Sequence, residues 1–201
     1  MAQQESGRPE TGARAGSTRQ DALELLKRDH REVEALFTRY KSAADVAEQA
    51  AVAERVCLLL KVHMRVEEEI FYPAARRRIE DKELVNEALV EHQAAKDLIE
   101  EIESADAGDP MLEARMQVLS EQIEHHVQEE ENGLFPEVQA AEIDLMGLGS
   151  RLFERKQEIL RELGAPTEAP PSPSRARSTA AARARSARAD PALRPERAPA
   201  F

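Results

Sequence analysis

Apolar residues between about 20 and 163 recur alternately three and four apart, the period that keeps side chains on one face of an α-helix. Leu23, Leu26, Val33, Phe37 and Tyr40 make one such stripe, and Ala53, Val56, Leu60 and Ile70 a second. Val85, Ala88, Ala95, Ile99 and Ile102 make a third, and Leu112, Met116, Leu119, Ile123 and Gly133 a fourth. The stripes predict four long helices, roughly 20–41, 46–78, 83–104 and 110–138, with a fifth over about 143–163 whose start is weakened by Gly147 and Gly149. Ser17–Gln20 and Thr18–Asp21 offer capping signals before the first helix. Asp109-Pro110 reads as an N-cap followed by proline at the first helical position. The fold class predicted is all-α, a bundle of helices sharing one core.

Six polar residues interrupt the stripes where leucine is expected: His30, His63, Glu67, His92, His126 and Glu130. One histidine on an apolar face is usually a satisfied core residue. Four, one on each predicted helix, with both His-x-x-x-Glu pairs in register, are hard to assign to chance. An internal repeat reinforces them. DHREVEALF (29–37) aligns on EHQAAKDLI (91–99), and HMRVEEEIFYP (63–73) on HVQEEENGLFP (126–136), at offsets of 62 and 63 residues. The chain reads as two copies of a helix pair, which would set two equivalent half-sites face to face.

The energetics then point to metal. A buried unpaired carboxylate costs several kcal/mol, and a domain whose net stability is about 5–15 kcal/mol could not hold two of them among four imidazoles without compensation. Divalent cations supply it. In His-x-x-x-Glu the side chains stand on one face, about 6 Å apart along the axis, so the imidazole can bind one ion while the carboxylate bridges to a second. Two six-coordinate ions, four histidine nitrogens, two bridging carboxylates and a bridging oxo or hydroxo group leave about two positions open for a small ligand. Imidazole with carboxylate suits two iron ions; ligand type alone leaves zinc and manganese open.

Composition narrows the rest. Aromatic residues are only 3% with no Trp, which disfavours a β-sandwich or barrel. A net charge of -11 opposes nucleic-acid binding by the main domain. The run around Leu58-Leu59-Leu60 is too short to cross a bilayer, and MAQQESGRPE lacks the apolar core of a secretory signal, so the expected location is cytoplasmic. Residues 1–19 and the Ala/Pro/Arg-rich stretch 164–201, with seven Arg against three acids, are expected to be disordered tails around a domain at 20–163. Cys57, alone, forms no intrachain disulfide and reads as a small core hydrophobe.

The constellation of His30, His63-x-x-x-Glu67, His92 and His126-x-x-x-Glu130, with the repeated FYP and LFP endings, resembles the hemerythrin-like (HHE cation-binding) family over about 22–138. The resemblance implies an up-down-up-down four-helix bundle around a non-haem di-iron centre, in proteins that bind dioxygen, respond to nitric oxide or oxygen, or handle iron. The oxygen carriers of the family have a His-x-x-x-His pair on the third helix; here the position four after His92 is Lys96. That departure weakens oxygen transport and favours sensing or binding of oxygen, nitric oxide or peroxide. A di-iron oxidoreductase, reducing peroxide or supplying iron for cluster repair, is the alternative; no substrate or cofactor motif raises it above a binding role. A metal-free structural bundle ranks third.

Neighbouring residues receive blander readings. His125, with Glu129 four residues on, is turned about 100° from the stripe and reads as a surface or supporting histidine. Glu68, Glu69, Glu129 and Glu131 read mostly as solvated faces, Tyr72 and Phe135 as packing beneath the site. Pro73 and Pro136 are expected to kink or end their helices, and Arg76-Arg77-Arg78 to form the last turn of the second.

Overall fold

The computed structural model describes residues 20–106 and 109–167, and among them five helices and no strand. Helix α1 is Ala22–Lys41. Helix α2 runs through Val46–Val66, widens into a π-helical turn at Glu67–Phe71 and resumes at Tyr72–Ala75. Helix α3 is Glu83–Glu103. Helix α4 runs through Leu112–Glu129, a π-helical turn at Glu130–Leu134 and Phe135–Ala140, and α5 is Leu145–Glu162. Short connections make successive helices antiparallel neighbours, and α5 lies against α1 and α2. The expected arm at 1–19 and all but the first four residues of the expected tail at 164–201 lie outside the described residues. No described helix is long and apolar enough to cross a membrane.

The ends follow from local chemistry. Asp21 and Asp45 cap α1 and α2, each carboxylate accepting from the N–H three residues on at 2.8 Å. Helix α4 starts two residues later than the Asp109-Pro110 signal predicts. Asp109 Oδ1 accepts from the Met111 N–H at 2.8 Å and Asp109 C=O from the Leu112 N–H, so Pro110 and Met111 form a turn rather than a helical start. Gly164, at φ 68°, closes α5, with Gly164 N–H donating to Arg161 C=O and Ala165 N–H to Leu160 C=O. That pairing is a Schellman C-cap.

The expectation of a kink or an end at the prolines is met by a local change of helix type. Neither Pro73 nor Pro136 ends its helix; the π turn just upstream accommodates each one. Tyr72 N–H reaches back five residues to Glu67 C=O, and Phe135 N–H to Glu130 C=O. The widened turn relaxes the ladder where a proline ring would press on the preceding turn and contribute no donor. The extra residue also slips each stripe by one: Phe71, fully buried, takes the core place expected of half-buried Ile70, and buried Leu134 that expected of Gly133. The three arginines lie in the turn just beyond Ala75.

The glycines that weakened the predicted α5 are what lets it pack. A Cβ at Gly149 would lie 2.4 Å from Gln20 O and 2.8 Å from Ala22 N, so α5 meets the start of α1 backbone to backbone. Apolar packing divides into two clusters. One gathers Leu25, Leu26, Phe71, Phe135 and Leu152 near the start of α1 and the ends of α2 and α4. The other gathers Phe37, Leu60, Ile99, Met116 and Leu119. Each fully buried Leu or Phe contributes about 1.5–3 kcal/mol, so these two layers carry the fold. The polar residues of the stripes fall between them along every helix.

Candidate metal centre

All six stripe-interrupting residues converge in that layer. His30, His63, Glu67, His92, His126 and Glu130 are each no more than 5% exposed. Helices α1 and α2 bring His30 Nε2 and His63 Nε2 to 3.1 Å; α3 and α4 bring His92 Nε2 and His126 Nε2 to 3.2 Å. Glu67 Oε2 lies 3.1 Å from His63 Nε2 and 3.4 Å from His92 Nε2. Glu130 Oε2 lies 3.4 Å from His30 Nε2 and 3.8 Å from His126 Nε2. The repeat thus builds two pockets, His30–His63–Glu67–Glu130 and Glu67–His92–His126, that share Glu67.

Polar satisfaction fails at both inner carboxylates. Both oxygens of Glu67 and Oε2 of Glu130 are buried without a hydrogen bond, a condition native interiors seldom tolerate. Burial alone would lift the Glu67 carboxyl, but the facing imidazoles of His63 and His92 hold it well below the usual range. Burial would lower His63; Glu67 and Asp29 outweigh it and push it up to about 10. The donor set fits a pair of divalent ions. Two nitrogens on one ion at about 2.1 Å stand about 3.0 Å apart at adjacent octahedral positions and about 3.4 Å apart at tetrahedral ones, and the observed pairs, at 3.1 and 3.2 Å, fall within that span.

Three of the four imidazoles are hydrogen-bonded from behind by a carboxylate, and the fourth, His63, faces one. Nδ1 of His30 meets Glu131 Oε1 at 2.9 Å, Nδ1 of His92 meets Glu68 Oε1 at 2.9 Å and Nδ1 of His126 meets Glu91 Oε2 at 2.8 Å. Asp29 Oδ2 stands 3.8 Å from His63 Nδ1, an ion-pair distance. A proton kept on Nδ1 leaves the Nε2 lone pair pointing inward, the arrangement a metal-binding imidazole needs. Basic groups back the carboxylates in turn: Arg31 donates to Glu131 at 2.7 Å, Lys96 to Glu68 at 2.6 Å and Lys156 of α5 to Asp29 at 2.8 Å. Glu68 and Glu131 are therefore not solvated faces. Asp29 and Glu91 were missed, yet the repeat carries a signal for all four: an acid stands immediately before His30 and His92 and immediately after Glu67 and Glu130.

Tyr72 also enters the site. Its hydroxyl donates to Glu130 Oε1 at 2.9 Å and lies 3.1 Å from His92 Nε2. Five residues of α-helix would turn it about 140° from Glu67; the π turn, closed from Glu67 to Tyr72 by an i to i+5 hydrogen bond, lessens that angle and swings it inward. At the equivalent place in the other half, Phe135 stacks on His30, with ring centroids 5.9 Å apart. His125 stays outside, exposed, 3.1 Å from Glu129. Cys57 is buried, its thiol pushed up to about 12 by burial and by Glu103, which suits a core residue.

A sequence model of the hemerythrin HHE cation binding domain matches residues 21–138. The chain belongs to that family. Members of the HHE family bind metal ions, typically iron, and the four-histidine, two-glutamate layer is where this HHE domain could hold them. A solved hemerythrin HHE cation binding domain-containing protein from Mycobacterium kansasii shares the fold, with TM-score 0.62 and 24% identity over 74% of this chain and 95% of that one. A protein named DNA nickase from Nostoc sp. (strain PCC 7120) is 27% identical over 132 residues, 65% of this chain. The match spans only 37% of the Nostoc protein.

Proposed function

We propose that this HHE domain is a non-haem di-iron protein that binds or senses oxygen, nitric oxide or peroxide. Its ligands in this reading are His30, His63, His92 and His126, with Glu67 and Glu130 bridging. The observation that carries the reading is Glu67: a fully buried carboxylate, neither oxygen hydrogen-bonded, between two imidazole pairs. When bound, iron supplies redox-active coordination with room for a small exogenous ligand. The chain's own residues do the rest. Outer carboxylates keep each Nδ1 protonated or ion-paired, the two apolar clusters exclude bulk water, and Tyr72 holds a proton beside His92 and Glu130. That hydroxyl, a proton donor in one half only, also favours the second reading, peroxide reduction. The activity implied by the Nostoc protein's name stays with that protein.

The test is metal analysis of the purified chain with its visible spectrum before and after oxygen, nitric oxide or peroxide. About two irons per chain and ligand-dependent bands support the proposal. A colourless protein indifferent to added iron defeats it. Steady-state turnover of peroxide separates the two readings.

A further inference from the structure

The two halves of the repeat differ most on their outer faces. In the first, Val62 and Val66 are fully buried and pack in the cluster that includes Leu148, Leu152 and Ile159 of α5. There the Lys156 ammonium sits beside Asp29, the acid behind His63. In the second half the equivalent positions are His125 and Glu129, both exposed. Glu91, which holds His126, occupies the place of Asp29. His125 Nε2 lies 3.1 Å from Glu129 Oε1 and 3.6 Å from Glu91 Oε1, while Glu91 Oε2 remains on His126. The half without α5 therefore presents an imidazole and two carboxylates where the other half places a fixed positive charge.

A second observation points inward from this cluster. A narrow cleft between α3 and α4 is lined by Glu87, Glu91 and Glu129 together with buried Glu130 and Leu134. Glu130 is 2% exposed and its Oε2 has no hydrogen bond. Glu130, whose Oε2 is turned to His30 and His126 of the buried centre, thus borders the same cleft as Glu87, Glu91 and Glu129. We propose that Glu91, His125 and Glu129 form a third, exchangeable site for a divalent transition-metal ion, a loading station from which ions pass along the cleft to Glu130 and the buried centre. One imidazole and two carboxylates suit Fe²⁺ or Mn²⁺, and the exposure of two of the three ligands keeps the site weak enough to release its ion. The loading role rests on the di-iron reading above; the surface site itself does not.

Metal-free full-length protein is mixed anaerobically with Fe²⁺, following uptake by stopped flow and final stoichiometry by metal analysis; separately, Mn²⁺ broadening of the His125 ring resonances reports the surface site. His125→Ala with Glu129→Gln is expected to slow uptake at least about tenfold and to leave about two ions per chain and the final spectrum unchanged, while Glu129→Gln alone is expected to weaken the Mn²⁺ broadening at His125. Glu124→Gln, which removes one exposed charge from the same helix, is the control. Unchanged uptake in the double variant, or equal slowing by Glu124→Gln, overturns the loading role, and no selective broadening at His125 overturns the site. If the wild type takes up no buried ions at all, the di-iron reading fails and the loading role with it, while the broadening still decides the site.

Discussion

Lys156 and Asp29 form an ion pair in the interior, 2% and 4% exposed and 2.8 Å apart, and replacing Lys156 by Met isolates its energetics. Met keeps most of the apolar stem but leaves the Asp29 carboxylate without its ammonium. Breaking one side of a buried pair costs about 3–5 kcal/mol. The carboxyl itself gives a second measure. Burial would raise it, yet His63 and Lys156 together bring it from its usual 3.8 to about 2, a difference equivalent to about 2.4 kcal/mol. Arg28, 3.2 Å from Asp29, remains in the variant and keeps the loss near the low end. We therefore expect Lys156→Met to lose about 3 kcal/mol at pH 7, or about 6–12 °C in Tm. Because the folded carboxyl is depressed, its stabilisation is present above about pH 4 and lost as pH falls towards 2. The gap between wild type and variant should narrow over the same interval. Replacing both partners, Asp29→Leu with Lys156→Met, should recover most of the stability, since no buried charge is left alone, but lose about 10–100-fold in metal affinity because His63 is no longer oriented. Urea denaturation of metal-free protein from pH 7 to 3 reads this directly. A single variant as stable as wild type at pH 7, or a gap independent of pH, refutes the reasoning.

Three further outcomes are expected. Metal uptake at pH 7 should release protons, because His63, held up to about 10 by Glu67 and Asp29 against its own desolvation, must become neutral to ligate. Affinity should then rise with pH, and a pH-stat that records no proton release on Co²⁺ addition counts against it. The same shift stabilises the metal-free fold fully below about pH 6.5, and that stabilisation disappears as pH rises through about 10. Gly149→Ala should cost about 1–3 kcal/mol in thermal denaturation despite alanine's better helix propensity, since its Cβ would strike the backbone at Gln20 and Ala22; Gly133→Ala, with its nearest neighbour at 3.4 Å, should be tolerated. Tyr72→Phe should destabilise the metal-free protein by about 1–3 kcal/mol by stripping Glu130 Oε1 of its donor, and the loaded protein by less. Equal losses with and without metal would mean that the hydroxyl serves packing alone.

The helices, their order and the six inner residues were legible because period and polarity coincide. A buried stripe that carries His30 or Glu67 in place of leucine states its face and marks the polar residues gathered there. The widened turns that begin at Glu67 and Glu130 were not legible. A proline inside a helical pattern signals disruption without saying which kind, and a π turn, which moves Phe71 and Leu134 into the core, is chosen by tertiary packing. Gly149 misled for a related reason: from sequence it costs helix propensity, while in the fold it permits a contact with α1 that no side chain would allow. The outer carboxylates were hidden by abundance. Acids are so frequent here that Glu68 and Glu131 look like solvated faces until the repeat is read for acids next to each inner ligand.

Charge matching explains why the inner carboxylates, and not the outer ones, call for external cations. Of the acids behind the imidazoles, Asp29, Glu68 and Glu131 each have a lysine or arginine of the chain within 2.8 Å. Their negative charge is answered by groups that cannot leave. Glu67 has no hydrogen bond, and Glu130 has the Tyr72 hydroxyl on one oxygen only. Two negative charges thus sit among four imidazoles whose Nδ1 atoms face carboxylates, so further protonation of those rings at Nε2 would be the only answer available without metal, as the rise of His63 to about 10 illustrates. Ions replacing those protons satisfy Glu67, Glu130 and all four Nε2 atoms at once. The fourth outer acid, Glu91, faces exposed His125 instead of a lysine or arginine. Among the four outer acids, Glu91 is thus the one matched by no lysine or arginine, and it borders the cleft that Glu130 also lines.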